Sequence, residues 1–243
     1  MILILTMAGL YSRFTAAGYK FPKYLLPWGD KPILSKILHE LSSDKALSDV
    51  LLVGNVRDES YVPHVHAILR SHRIDARNLV WIRDTKGQAE TAMLGLEHLE
   101  SVKSGYDGPI VFHNIDTILY GRKLHQARAV LAEHAGWIDV FRSANHNYSY
   151  VLADEHGRLQ EIAEKIVISN LATSGLYGFS SPAMYRDNYD PNEDQYVTSV
   201  YKRMISRGQS VLIGPTHSEN DTVVLGTPTE YINASITVAE DHF

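Results

Sequence analysis

The chain has 243 residues, 44% of them hydrophobic, a formal net charge of -5 and no cysteine. That length is enough for one large α/β core. The lack of cysteine excludes disulfides, thiolate catalysis and cysteine-ligated zinc. An acidic chain without a basic block is a poor match to general nucleic-acid binding, although a few cations focused in one cleft would still hold an anion.

Ile2–Thr6 is a short apolar run leading to Ala8-Gly9, and it reads as a strand buried on both faces of a parallel sheet. Met1–Met7 has no basic flank and is too short to cross a bilayer, and no other stretch is long and apolar enough to do so. A cytoplasmic protein with no membrane partner is therefore expected. After Pro32, Ile33, Leu34, Ile37, Leu38 and Leu41 recur at helical spacing. Val50–Val53 is the next strand, Leu79–Ile82 the next, and Ala89, Ala92, Met93, Leu96 and Leu99 stripe a second helix before the strand Ile110–Phe112. Strand and helix alternate, which is the pattern of a doubly wound α/β sheet.

The second half is richer in strands. Trp137–Arg142, Tyr148–Ala153, Arg158–Ala163 and Ser174–Phe179 follow closely, with Gly157 marking a hairpin turn. Val197, Val200, Tyr201, Met204 and Ile205 make a helix. Strands at Ser210–Ile213 and Thr222–Leu225 come next, and a last helix begins near Thr229. No repeat or linker divides the chain. A single domain over 1–243 is expected, with 1–135 as a nucleotide-binding half and 136–243 as an acceptor-binding half.

The segment Met7–Pro27 holds Gly9, Arg13 and Lys23 at the carboxyl end of the first strand, where open α/β sheets bind ligands. Gly9 would let the backbone approach an anion, and a forked donor and a point charge would complete the site. It is neither a P-loop nor a dinucleotide fingerprint. A solvated basic loop with a turning glycine accounts for the same residues.

Three runs in order carry a resemblance: Ala8-Gly9-x-x-Ser12-Arg13-Phe14, Pro22-Lys23-Tyr24-x-x-Pro27 and Lys31-Pro32-Ile33-Leu34. Together they resemble the signature of the sugar-phosphate nucleotidyltransferases, from Met1 to about Tyr231. The resemblance implies a Rossmann-like, mainly parallel mixed sheet flanked by helices, with a small additional β-rich lobe. It implies that Arg13 and Lys23 meet the nucleotide's phosphates and that Ala8, Gly9, Leu10 and Ser12 lie along the nucleotide. Many members have glycine where this chain has Tyr11, so the loop here is either stiffer or presents a ring to the ligand.

Later segments match as well. Gly87-Gln88 opens the second helix where the family seats its base, although a plain helix start explains both residues. Asp116 follows a strand end, where a carboxylate can hold Mg²⁺ or cap a helix beginning near Tyr120; the family assigns the metal role. Glu164-Lys165 resembles the family's Glu-Lys pair, whose lysine takes the acceptor phosphate, or is a surface pair. Gly175 would lie under the sugar or form a bulge. Glu193 would bond acceptor hydroxyls or cap a helix. Gly226-Thr227-Pro228 matches a segment before which many members carry a second metal-binding aspartate; Val224 stands there instead. His64 and His66 are the one close histidine pair, without further zinc ligands at sensible spacing.

The implied reaction is Mg²⁺-dependent transfer of a nucleoside monophosphate from a nucleoside triphosphate to a sugar phosphate or similar phosphorylated acceptor, with release of pyrophosphate. Its catalytic residues are Arg13, Lys23 and Asp116, and its acceptor residues Lys165, Gly175 and Glu193. The short chain resembles bacterial surface-polysaccharide (capsule) members, among which cytidine triphosphate is a donor. A homo-oligomer is compatible with this reading. Two alternatives stay open: a nucleotide-sugar glycosyltransferase, although Asn114-Ile115-Asp116 supplies only one carboxylate of an Asp-x-Asp pair, and a nonenzymatic nucleotide-binding regulator.

Overall fold

The computed structural model describes residues 1–42 and 44–240, so the final three residues of the expected domain lie outside the described residues. The first half runs β1 (Ile2–Thr6), α1 (Ser12–Ala16), β2 (Pro27–Trp28), β3 (Lys31–Pro32), α2 (Ile33–Ser42), β4 (Asp49–Asn55), α3 (Val62–Ser71), β5 (Leu79–Ile82), α4 (Gln88–Val102), β6 (Ile110–Asn114), β7 (Thr117–Leu119) and α5 (Leu124–Leu131). The second half runs β8 (Gly136–Arg142), β9 (Tyr150–Ala153), β10 (Leu159–Ala163), β11 (Leu171–Phe179), α6 (Pro182–Arg186), α7 (Val197–Ser206), β12 (Val211–His217), β13 (Thr222–Val224) and α8 (Pro228–Glu240).

β6, β1, β4 and β5 are parallel neighbours, with Thr6 level with Val53 on one side and Asn114 on the other. β11 joins β6 antiparallel and carries β9 and β10 beyond it, while β8 and β12 pair at its far end. The β-rich second half is thus continuous with the main sheet. β7 and β13 form a separate two-stranded ribbon beneath the cleft.

β1 shows why the sheet is covered on both faces. Its side chains alternate with period two. Leu3 and Leu5 enter one core with α2, α3 and α5, through residues such as Leu34, Leu38, Leu69 and Leu131. Ile2 and Ile4 enter the other with α4 and α7, through Leu96, Leu99, Val200 and Tyr201. All five β1 residues are buried. Truncating one of these to alanine would cost about 2–5 kcal/mol.

The short helices α1 and α6 and the longer α3 escape the sequence pattern. α3 carries Val65, Ile68 and Leu69 on its buried face, and His64 and His66 fall within it. Two residues apart, they point to different sides of that helix and cannot share a metal. α5 buries Leu124, Ala127 and Leu131. The helix expected near Tyr120 is corrected: β7 follows Asp116 directly and the helix begins at Leu124, so Asp116 caps no helix.

Candidate active site

The carboxyl ends of β1, β4, β5 and β6 lie on one edge of the sheet because all four run parallel. The segments leaving β1, β5 and β6 there line a cleft of about 520 Å³, and β11, the segment entering β9, the residue after β10, the end of β13 and the start of α8 form its other wall. Parallel order therefore brings residues 9, 87 and 116 together from remote positions in the chain.

On the first wall, Ala8, Gly9, Leu10, Tyr11, Arg13 and Lys23 all line the cleft. Ser12 does not; it begins α1 and is exposed. Tyr11 takes its place on the wall with φ 35 and ψ 32, in the left-handed region that disfavours a side chain. This explains a glycine preference at such a position, and of the two expectations for Tyr11 the structure bears on the second: the tyrosine lines the cleft.

The Lys23 ammonium lies 3.1 Å from Oδ2 of Asp116. The lysine is nearly covered, whereas about a third of the aspartate side chain is open, at 11% and 34% exposure. Burial alone would raise the Asp116 carboxyl; the Lys23 charge and hydrogen bond outweigh it and hold the group below its ordinary value. Asp116 is therefore a standing carboxylate at neutral pH. Its turn is held from below by His113, whose Nε2–H donates to the Thr117 carbonyl at 2.8 Å. Complete burial pushes the His113 imidazole down to about 4, so it stays neutral.

Gly87 and Gln88 meet the cleft at the start of α4. Gly87 has a packing reason: a Cβ there would fall 2.3 Å from the Gln195 carbonyl oxygen, which accepts from Ala89 N–H at 3.1 Å. The Gln88 amide donates to the Asn114 side chain. Gly175 sits across from that pair with φ 85, and a Cβ on it would come within 2.8 Å of Asn114 Nδ2. The strand register shifts between Thr173 and Tyr177, so Gly175 is a bulge that also lines the cleft.

Two residues expected on the acceptor side stand off the cleft wall. Lys165 is not on the cleft wall. Its backbone is left-handed at φ 56, and its ammonium rests 5.3 Å from the centre of the Tyr196 ring, which does line the cleft. The preceding residue, Glu164, faces the cleft instead and accepts from the Ser149 and Thr198 hydroxyls. Glu193 is exposed and paired with Arg203 at 3.2 Å, away from the cleft; it caps no helix, since α7 starts at Val197. In that segment the buried acid is Asp194, which holds Arg203 at 2.6 Å.

Sequence reasoning missed most of the second wall. Asn147, Tyr148, Ser149, Glu164, Tyr177, Tyr196 and Glu230 line it. Burial, and then the nearby Glu230 charge, push the Tyr148 phenol up to about 12, so it is a hydrogen-bond donor at neutral pH. Glu164 was legible as half of the Glu164-Lys165 pair and strand alternation hinted at others, but no motif spacing singles out the rest. Val224, noted in the sequence as standing in place of an aspartate, does line the cleft, and Glu230, in the first turn of α8, is the acid on that side. Among the described residues no group of three or more His, Asp or Glu side chains is placed to hold a metal by itself.

Solved structures of similar shape exist over nearly the full chain. The nucleoside-diphosphate-sugar pyrophosphorylase of Vibrio cholerae RC9 matches 96% of this chain and 98% of its own at 26% identity, with a TM-score of 0.82. A UDP-glucose pyrophosphorylase complexed with UDP-glucose matches 99% and 98% at 18% identity and a TM-score of 0.73. The inositol-1-phosphate CTP transferase of T. maritima matches 97% and 94% at 14% identity and a TM-score of 0.74. No protein-family model and no curated protein matches the sequence. The chain has the Rossmann-like fold of the nucleotide-sugar pyrophosphorylases and sugar-phosphate nucleotidyltransferases.

Proposed function

We propose that the protein is a nucleotidyltransferase: it joins the nucleoside monophosphate of a nucleoside triphosphate to a phosphorylated, hydroxyl-bearing small molecule and releases pyrophosphate. The observation that carries this is the Lys23–Asp116 pair at 3.1 Å, set beside Gly9 and Arg13 at the carboxyl edge of β1 and β6. The named structural neighbours favour this over glycosyl transfer or a purely regulatory role.

Both substrates are polyanions, so the protein's task is to gather them and offset charge. Arg13 would hold the leaving pyrophosphate and Lys23 the α-phosphate. The attacking phosphate oxygen is already ionised, so no general base is needed; it forms the new P–O bond as the bond to pyrophosphate breaks. Glu164 and the hydroxyls of Ser149 and Tyr148 would receive the acceptor's hydroxyls, with Lys165 at the rim for its phosphate.

Asp116 suits Mg²⁺, which takes one or two carboxylates and completes its shell with phosphate oxygens and water. It is ionised and open to the cleft, which fits a metal delivered with the triphosphate. The ion, when bound, would neutralise phosphate charge. Such chemistry would supply activated precursors for surface polysaccharide from the cytoplasm; no described helix is long and apolar enough to cross a membrane.

The test is a matrix of nucleoside triphosphates, including CTP and UTP, against sugar, polyol and amino-alcohol phosphates with Mg²⁺. Pyrophosphate release with one pair is expected. Release with none, or hydrolysis of a nucleotide sugar alone, would overturn the reading.

A further inference from the structure

Asp58 lies outside the cleft wall, on the 3₁₀ turn Val56–Tyr61 that follows β4, and is 1% exposed. Its two oxygens do separate work. Oδ1 accepts from the Tyr11 hydroxyl at 2.5 Å, and Oδ2 accepts from the Tyr24 hydroxyl at 3.0 Å. Tyr11 stands two residues before Arg13, and Tyr24 one residue after Lys23. One buried carboxylate thus ties down both ends of the long segment that carries the two phosphate-binding cations.

Both ends need a tie. Tyr11 occupies a left-handed backbone conformation as the residue before α1, a state that a tyrosine holds only when its side chain is fixed elsewhere. Lys23 sits on the single 3₁₀ turn Lys23–Leu25, which has little rigidity of its own. Burial, with help from Asp58, raises both phenols far above their ordinary value, so both remain donors to the carboxylate. The neighbouring Arg57 reinforces the first tie: it donates to the Ala8 carbonyl at 2.7 Å, pairs with Asp84 at 3.0 Å and lies 5.7 Å from the centre of the Tyr11 ring.

We propose that Asp58 is a positioning residue: through Tyr11 and Tyr24 it fixes the separation of Arg13 from Lys23, and so the alignment of the triphosphate for in-line attack. This rests on the nucleotidyl-transfer reading of the cleft. Asp58 itself touches neither substrate. A carboxylate needed only for stability would change the melting temperature without separating kcat from KM or coupling to the tyrosines.

The experiment compares Tyr11→Phe, Tyr24→Phe and Asp58→Asn, and each tyrosine variant combined with Asp58→Asn. Steady-state kinetics and amide hydrogen exchange are read on the same preparations. The phenylalanine variants keep ring volume and each leaves the carboxylate its other tyrosine, which secures the test should Asp58→Asn unfold. Each is expected to lower kcat about 10-fold, with the acceptor KM changed by less than about twofold. Added to Asp58→Asn, a tyrosine variant should cost less than about a further twofold, because both act through one carboxylate. Exchange should quicken in residues 8–13 for Tyr11→Phe and in 23–26 for Tyr24→Phe, and stay unchanged along α4. Fully additive losses, or unchanged kcat in both tyrosine variants, would overturn the proposal. Should the native chain release no pyrophosphate with any substrate pair, the functional reading fails on its own; the tie is then judged by exchange, and unchanged rates in both loop segments would sink it.

Discussion

The two walls of the cleft solve different problems. The first, built from the segments after β1, β5 and β6, presents Arg13, Lys23, the Gly9 backbone and Asp116. The second, built from the segment entering β9, the residue after β10, β11, Tyr196 and the start of α8, presents hydroxyls, the Asn147 amide and the carboxylates of Glu164 and Glu230; no cation lines it among the described residues. Positive charge is thus concentrated where phosphates must be gathered, while the opposite wall offers acceptors and donors suited to hydroxyl groups. The first wall is also braced from behind by Asp58 and His113, so its geometry is set before ligand arrives. The contrast predicts that damage to the first wall reduces the rate of chemistry, and damage to the second reduces affinity for one substrate.

The largest effects should come from Lys23→Ala and Asp116→Ala. Each removes a group from the 3.1 Å pair and should lower kcat by about 10²–10³-fold or more, since fixed charges in such sites carry effects of that size. Rapid-quench pyrophosphate assays would measure it, and activity within tenfold of native in either variant would break the assignment for that residue. Acid stability tests the brace beneath the same wall. The unfolded chain protonates His113 near its ordinary value, whereas the folded chain resists until about pH 4. The unfolded state therefore binds the extra proton between those limits. Stability should be fully present above pH 6.5 and fall by about 3 kcal/mol as pH drops towards 4. Denaturant titrations should show that slope and show it flattened in His113→Asn; an unchanged slope would mean that other groups set the acid limit.

The first wall was far more legible in the sequence than the second, for a physical reason. Cations and a glycine that must meet phosphates fall within one contiguous loop, so Ala8, Gly9, Arg13 and Lys23 announce themselves together. A parallel strand with both faces buried is a run of aliphatic residues, which is why β1 was readable to its ends. The second wall gathers Tyr148, Glu164, Tyr196 and Glu230 from four separated segments, and only the folded sheet brings them together. Glu164 and Lys165 were readable as a pair, but the choice of which faces inward depends on the left-handed turn at Lys165, a backbone feature that its residue type does not encode. Asp58 was hidden similarly: its partners, Tyr11 and Tyr24, lie 47 and 34 residues away.

Smaller effects sharpen the second wall's role. Glu164→Gln keeps the shape but weakens two hydrogen bonds from Ser149 and Thr198, and it removes the charge facing the acceptor. The acceptor KM should rise about 10- to 100-fold, the loss expected for a charged hydrogen bond, with the triphosphate KM unchanged. A rise in the triphosphate KM instead would erase the distinction between the walls.

Lys165 should show the smallest effect, and two substitutions separate its charge from its backbone. Lys165→Ala removes an exposed cation that reaches the cleft only over the Tyr196 ring, so the acceptor KM should rise no more than about 10-fold. It also leaves a side chain in the left-handed region. Lys165→Gly removes the same charge but relieves that conformation, and should be more stable than the alanine variant by about 1 kcal/mol. If charge is what matters, both variants share one KM. If the turn matters because it aims Glu164 inward, the glycine variant should differ from the alanine variant in acceptor KM as well as in stability. Equal, native KM values in both would remove Lys165 from acceptor binding and leave Glu164 and the hydroxyl groups to define that wall.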